Sequence, residues 1–319
     1  MYFRLGYTMQ NNLAFIFPGQ GSQAVAMLSD FSDNKIVQST FSEASQALGY
    51  DLWQLVAQGP AEKLNQTNHT QPALLTASVA LWRLWLSETS VKPSVIAGHS
   101  LGEYSALVCA GVLSLTDAVK LVEKRGEFMQ EAVPEGVGAM AAVIGLSDDK
   151  IIEACQQAEQ EQVVSAVNFN SPGQVVIAGN KEAVERAGLL CKEGGAKRVL
   201  PLPVSVPSHC ALMKSAADKL AEQFAQITFN QPEIPVINNV DVCAQSDVEE
   251  IKQALVKQLY SPVRWSETIT KLASQGIESA VEAGPGKVLQ GLIKRIDKSI
   301  TCISVNDNVS LAKAKELIK

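Results

Sequence analysis

Ser94-Val95-Ile96-Ala97-Gly98-His99-Ser100-Leu101-Gly102-Glu103-Tyr104-Ser105-Ala106-Leu107-Val108 carries the clearest structural signal in the chain. A short apolar run of strand type passes through Gly-x-Ser-x-Gly into a helix-forming run, the order of a nucleophile elbow. Glycine is needed on both sides of the serine because a Cβ there would collide with the neighbouring strand or helix. The Ser100 hydroxyl is thereby pushed out at the carboxyl end of the strand. Beneath it the helix N-terminus offers unpaired N–H groups and a partial positive charge, where an acyl oxyanion would form. Acyl transfer through a covalent serine ester is the first chemistry this implies.

Working outward, Leu13-Ala14-Phe15-Ile16-Phe17 reads as a buried strand ending at Pro18-Gly19-Gln20-Gly21. Helical periodicity follows at Lys35 to Leu48, Pro72 to Glu88 and Thr116 to Ala132. Strands alternating with helices imply a mostly parallel sheet covered on both faces. From about Val133 the order becomes strand Ala139 to Ile144, helix Asp148 to Ala158, strands Val163 to Asn168 and Gln174 to Ala178, helix Lys181 to Glu193, strand Arg198 to Leu202. That β-α-β-β-α-β order is the ferredoxin-like signature. Helices near Ala211 to Ala225, Val248 to Leu259 and Ser266 to Gln275 then return the chain to the first sheet, which strands Ile277 to Glu282 and Ile300 to Val305 complete. The expected fold is α/β: a large α/β-hydrolase-like domain with a mostly parallel sheet (1–132 and 204–319) plus an inserted small ferredoxin-like domain (133–203).

The chain has 319 residues, 46% of them apolar and 19% charged, which suits a globular protein with a full-sized core. No apolar stretch reaches the ~20 residues that cross a bilayer. Met1 to Met9 lacks the apolar core of a secretory signal and reads as a disordered leader, with Met9 an alternative start. Six cysteines without a Cys-x-x-Cys pair argue against a zinc site or a disulfide framework and for a reducing cytoplasm. A net charge of −6 disfavours nucleic acid and anionic membrane as partners.

A serine nucleophile needs a base, and the chain has only three histidines, His69, His99 and His209. His99 adjoins the nucleophile, where an elbow turns the side chain elsewhere. His69 stands at a helix start, where capping or exposure is its plain role. His209, in Val206-Pro207-Ser208-His209, lies where the chain re-enters the large domain and is placed to face Ser100 across a cleft. No carboxylate near it in sequence orients the ring, but a triad is defined by geometry, and a backbone carbonyl also serves.

Arg125 falls in the apolar stripe of its helix, among Ala118, Leu121, Val122 and Met129. A guanidinium there is costly unless an anion meets it, and it cannot discharge by losing a proton. Two readings stand level: an internal ion pair with an Asp or Glu, or a bidentate clamp on a substrate carboxylate. Gly19-Gln20-Gly21-Ser22-Gln23-Ala24 fits Gly-x-Gly-x-x-Ala, but Glu43 falls in a helix and not at the end of a second strand, so a dinucleotide site is rejected. The turn reads instead as a neighbour of the elbow, with the Gln20 N–H as second oxyanion donor. Gly284-Pro285-Gly286-Lys287 reads as another strand-to-helix turn.

Phe17-Pro18-Gly19-Gln20-Gly21-Ser22-Gln23, Gly98-His99-Ser100-Leu101-Gly102-Glu103, Arg125-Gly126 and Pro207-Ser208-His209, in this order and spacing, resemble the bacterial malonyl-CoA:acyl carrier protein transacylases of dissociated fatty acid synthesis. The resemblance runs from about Asn12 to the C-terminus, supported by Thr70-Gln71-Pro72-Ala73-Leu74, Asn168-Phe169-Asn170-Ser171-Pro172 and Glu282-Ala283-Gly284-Pro285-Gly286. It implies Ser100 as nucleophile, His209 as base and later acid, and Arg125 as the malonyl carboxylate clamp. It implies Gln20 and Leu101 N–H groups as the oxyanion hole, and the Gln258 backbone carbonyl as the group orienting His209. Asn168 and Asn170, with His99, would border the cleft. The implied partners are malonyl-CoA and acyl carrier protein, with coenzyme A thioester as substrate and no metal or tightly held cofactor. An acidic carrier would dock on a local basic patch, for which Lys192, Lys197, Arg198, Lys287, Lys294 and Arg295 are the candidates. Two other classes share some features: a serine hydrolase of thioesterase type, which needs an acid in a triad and has no use for Arg125, and a silent carrier-binding module, which forms no adduct on Ser100.

Overall fold

In the computed structural model, which describes residues 6–204 and 206–318, two sheets carry the chain. The first has strands β1 (Thr8–Phe17), β2 (Val91–Gly98), β7 (Val236–Ile237), β8 (Ser279–Ala283) and β9 (Thr301–Val305) in the order β7-β2-β1-β8-β9. Every neighbouring pair is parallel. The second has β3 (Gly138–Ile144), β4 (Val164–Ser171), β5 (Gln174–Asn180) and β6 (Arg198–Pro201), antiparallel in the order β4-β5-β3-β6. This is the α/β architecture expected, a parallel sheet joined to a smaller antiparallel one with two helices, Asp148–Ala158 and Lys181–Glu193.

Alternation along β1 shows why the first sheet is covered on both faces. Leu13, Phe15 and Phe17 enter one core with the helices Lys35–Leu48, Thr67–Thr89 and Leu115–Ala132. Ala14 and Ile16 enter a second core with Trp265, Ile269, Leu289 and Leu292. All five residues are fully buried, and burying each large side chain contributes about 1.5–3 kcal/mol. Register then places the site: Phe17 pairs with Gly98 and Ala97 with Ile237. Three strands therefore end level, and the loops after β1, β2 and β7 meet at one carboxyl edge, the position where open α/β sheets bind ligands.

Several expectations are corrected here. Thr8 and Met9 pair with Val91 and Lys92 in β1, so these two residues are strand and not leader; residues 1–5 lie outside the described chain. The helix expected from Pro72 begins at Thr67 and carries Pro72 inside it. Proline disfavours helix in the residue before it, but here Thr70 and His69 already close the first turn onto Gln66, and nearly every residue from Thr70 to Trp85 is buried. The helices Leu52–Gln58, Val288–Ile296 and Asn308–Ala314 and the two-residue strand β7 had no reading in the sequence. Short elements show too little periodicity to stand out. Among the described residues no helix is long and apolar enough to cross a membrane, and the six cysteines are free thiols.

Candidate active site

The elbow glycines do what their positions demand. A Cβ on Gly98 would stand 1.9 Å from the Gly102 carbonyl carbon, and one on Gly102 would stand 2.1 Å from the Phe17 oxygen. The turn between them holds Ser100 at φ 52°, ψ −110°, a conformation that an L residue adopts only at a cost of about 1–3 kcal/mol. Asn239, two residues past the end of β7, keeps it there. Its Oδ1 accepts from the Ser100 N–H at 2.7 Å while its Nδ2 donates to the Gly98 oxygen at 2.6 Å.

Ser100 Oγ lies 2.8 Å from His209 Nε2. The other ring nitrogen, Nδ1, donates to the Gln258 backbone oxygen at 2.6 Å, and the His209 N–H donates to the Leu259 oxygen at 2.9 Å. Both acceptors belong to the last turn of the helix Val248–Tyr260, whose final carbonyls lack partners within the helix. That helix end therefore fixes the tautomer that leaves Nε2 free to take a proton, and its negative pole favours the imidazolium that results. Burial, reinforced by the nearby Arg125 charge, pushes the His209 pKa down to about 3, so the resting ring is neutral. Among the described residues no carboxylate completes a triad; the Gln258 peptide oxygen holds that place.

Arg125 is 1% exposed and forms no ion pair among the described residues. Of the two readings the sequence left level, the internal ion pair is excluded. The guanidinium donates instead to neutral amide oxygens, Gln71 Oε1 at 2.8 Å and Gln258 Oε1 at 3.0 Å, and lies 5.3 Å over the Tyr104 ring. One terminal nitrogen stands 3.4 Å from Ser100 Oγ. A buried cation with no carboxylate at ion-pair distance among the described residues is incompletely neutralised, and an anion brought to Ser100 would reduce that cost.

Leu101 is the first residue of the elbow helix, and its N–H has no acceptor; the exposed Gln20 N–H also has none among the described residues. Gly19 packs so close to the elbow that a Cβ there would stand 2.5 Å from the His99 oxygen. The Gln20 loop is thereby pinned beside the elbow. The Ser100 N–H is already taken by Asn239, whereas the Gln20 and Leu101 N–H groups are free to donate.

His99 turns away from Ser100, its Nε2 2.8 Å from Asn170 Oδ1 and its ring against Trp265. Asn168 is buried and bridges through its backbone to Val263, where the Phe169 N–H donates to the Val263 oxygen at 3.0 Å. These contacts seat β4 against the elbow. His69 meets the Tyr50 ring edge to face, centroids 5.6 Å apart. Sequence reasoning missed Gln71, Glu103, Asn239 and the Gln258 side chain, all buried. A signal existed for Gln71 and Glu103, which are polar residues inside otherwise apolar helical runs; for Asn239 there was none. Burial pushes the Glu103 carboxyl up to about 7 against the pull of Gln258, Asn239 and Arg125.

A family profile described as acyl transferase domain matches residues 14–315. The malonyl CoA-acyl carrier protein transacylase of Escherichia coli strain K12 is 64% identical over 305 residues, which are 95% of this chain and 99% of that protein. The protein of the same name from Bacillus subtilis is 44% identical over 311 residues, 97% and 98% of the two chains. Among solved structures, an acyl carrier protein S-malonyltransferase from Vibrio cholerae superposes with a TM-score of 0.93 at 62% identity, covering 97% of this chain and 100% of that one. A malonyl-transacylase solved in complex with its type II polyketide acyl carrier protein gives 0.94 at 59% identity, covering 96% and 99%.

Proposed function

We infer the chemistry from one premise: the chain belongs to the acyl transferase family, in the branch of the malonyl CoA-acyl carrier protein transacylases. It transfers the malonyl group of malonyl-CoA to the phosphopantetheine thiol of acyl carrier protein, in fatty acid biosynthesis in the cytoplasm. The observation that carries the division of labour is the buried Arg125 guanidinium, without a carboxylate partner, 3.4 Å from Ser100 Oγ.

In the first half-reaction the malonyl carboxylate binds Arg125, whose fork suits bidentate pairing. His209 takes the Ser100 proton as Oγ bonds to the thioester carbon. The oxyanion is held by the Gln20 and Leu101 N–H groups and collapses with cleavage of the carbon–sulfur bond. His209 returns its proton to the departing thiolate, and coenzyme A leaves as thiol. The carrier thiol then gives its proton to His209, attacks the malonyl-serine ester and regenerates Ser100. His209 serves as base and acid in turn, and ping-pong kinetics result.

Intact mass spectrometry tests this directly. Malonyl-CoA alone is expected to add one malonyl mass at Ser100, and carrier protein then removes it and gains it. Rapid release of free malonate would mark a hydrolase; no adduct would mark a carrier-binding module.

A further inference from the structure

Among the described residues two glutamates are buried, and they are employed differently. Glu282 caps a helix, accepting from Leu289 N, Gln290 N and Ser304 Oγ. Glu103 has no such local duty. Its Oε2 accepts from the Asn239 N–H and from Gln258 Nε2, both at 2.9 Å. Gln258 is the residue on which the site converges: its backbone oxygen holds His209, its Nε2 also donates to the Ser100 oxygen at 3.1 Å, and its Oε1 accepts from Arg125.

The Asn239 backbone N–H can only donate, so the Glu103 Oε2 it bonds is held as an acceptor and demands the NH₂ side of the Gln258 amide. With the NH₂ committed to Glu103, the amide oxygen must face Arg125. The amide turned over would set oxygen against oxygen at Glu103 and NH₂ against guanidinium at Arg125, two repulsive pairs among buried side chains. We propose that Glu103 is a positioning residue: its carboxylate fixes the rotation of the Gln258 amide and, through that amide, the place of the Arg125 guanidinium over Ser100. The proposal rests on the reading of Arg125 as the carboxylate clamp.

The test compares Glu103→Gln and Glu103→Asp in acylation by malonyl-CoA and by acetyl-CoA, with folding checked by thermal melts. Glutamine keeps an acceptor at full length and loses the charge. Aspartate keeps the charge and withdraws the acceptor by about 1.5 Å, one carbon–carbon bond. E103D is expected to lose about tenfold or more in malonyl kcat/KM, chiefly through KM, with the malonyl-to-acetyl ratio falling accordingly. E103Q is expected to keep that ratio within about threefold of the parent. A parent ratio in E103D, or an E103Q that falls as far as E103D, overturns the proposal. Arg125→Ala run in parallel separates the two levels: an unchanged ratio there rejects the clamp itself, whereas a collapsed ratio there beside an intact one in E103D rejects only the role of Glu103. Where E103D does not fold, Gln258→Met removes the amide while keeping the backbone carbonyl; the same loss of ratio is expected, and a parent ratio overturns the proposal.

Discussion

Removing the Arg125 side chain puts the clamp to a quantitative test. The guanidinium is 1% exposed, is held only by the neutral Gln71 and Gln258 amides, and lies 3.4 Å from Ser100 Oγ. A malonyl carboxylate bound there makes a desolvated charge pair. Truncating one partner of such a pair costs about 2–5 kcal/mol, or about 30-fold to several-thousand-fold in kcat/KM. Part of the damage in Arg125→Ala is indifferent to the substrate, since Gln71 and Gln258 lose a donor and a cavity opens. Acetyl-CoA, which carries no carboxylate, measures that part. The malonyl-to-acetyl ratio of kcat/KM is therefore the informative number, and it is expected to fall by at least about tenfold. Arg125→Lys is expected between parent and alanine, because one ammonium cannot span two amides and a carboxylate as a planar fork does. Stopped-flow acylation with each thioester supplies both rates. Equal losses for the two acyl groups would refute the reasoning.

The elbow glycines admit no side chain: Gly98→Ala and Gly102→Ala, whose Cβ atoms would stand 1.9 and 2.1 Å from backbone, are expected to lose more than about 4 kcal/mol of stability or fail to fold, and a melt near the parent's would reject the close-approach argument. His209 makes stability depend on acid. Its ring takes a proton near 6.5 in the unfolded chain but only near 3 in the folded one, so between those values the unfolded state binds more protons, stability rises with pH, and it is lost as pH falls through that window. His209→Ala is expected to remove up to about 1.4 kcal/mol per pH unit from the slope between pH 3 and 6.5, read by denaturant melts; an unchanged slope would reject the neutral, desolvated ring. Lys287 and Lys294 are exposed, and reversing both to Glu is expected to slow transfer to the carrier in a salt-dependent way while sparing acylation by malonyl-CoA. Equal slowing of both half-reactions would place carrier docking elsewhere.

How much of this was legible beforehand follows from the range of the forces concerned. The elbow is a matter of backbone crowding within five residues, so Gly98, Ser100 and Gly102 announce it wherever they occur after a strand. The helices Lys35–Leu48, Asp148–Ala158 and Lys181–Glu193 begin and end where sequence periodicity puts them. The β-α-β-β-α-β succession is likewise a local order, and it set the second sheet. Arg125 stood out as a charge in an apolar stripe, but whether an acid or a substrate answers it depends on what the fold brings near. Gln71, 54 positions away, and Gln258, 133 positions away, hold it, and Glu103 reaches Gln258 across 155.

The order of residues along the chain was enough to single out Ser100, the turn that exposes it, three histidines to choose among and a cation in an apolar stripe. Folding was needed to show that no carboxylate among the described residues pairs directly with that cation, that a peptide oxygen at the end of a helix holds the His209 ring, and that Asn239 and Glu103 brace the elbow. The physical reason is the parallel register of β2, β1 and β7: it levels the carboxyl ends of strands far apart in the chain, and polar side chains at those ends find partners that no periodicity along the sequence encodes.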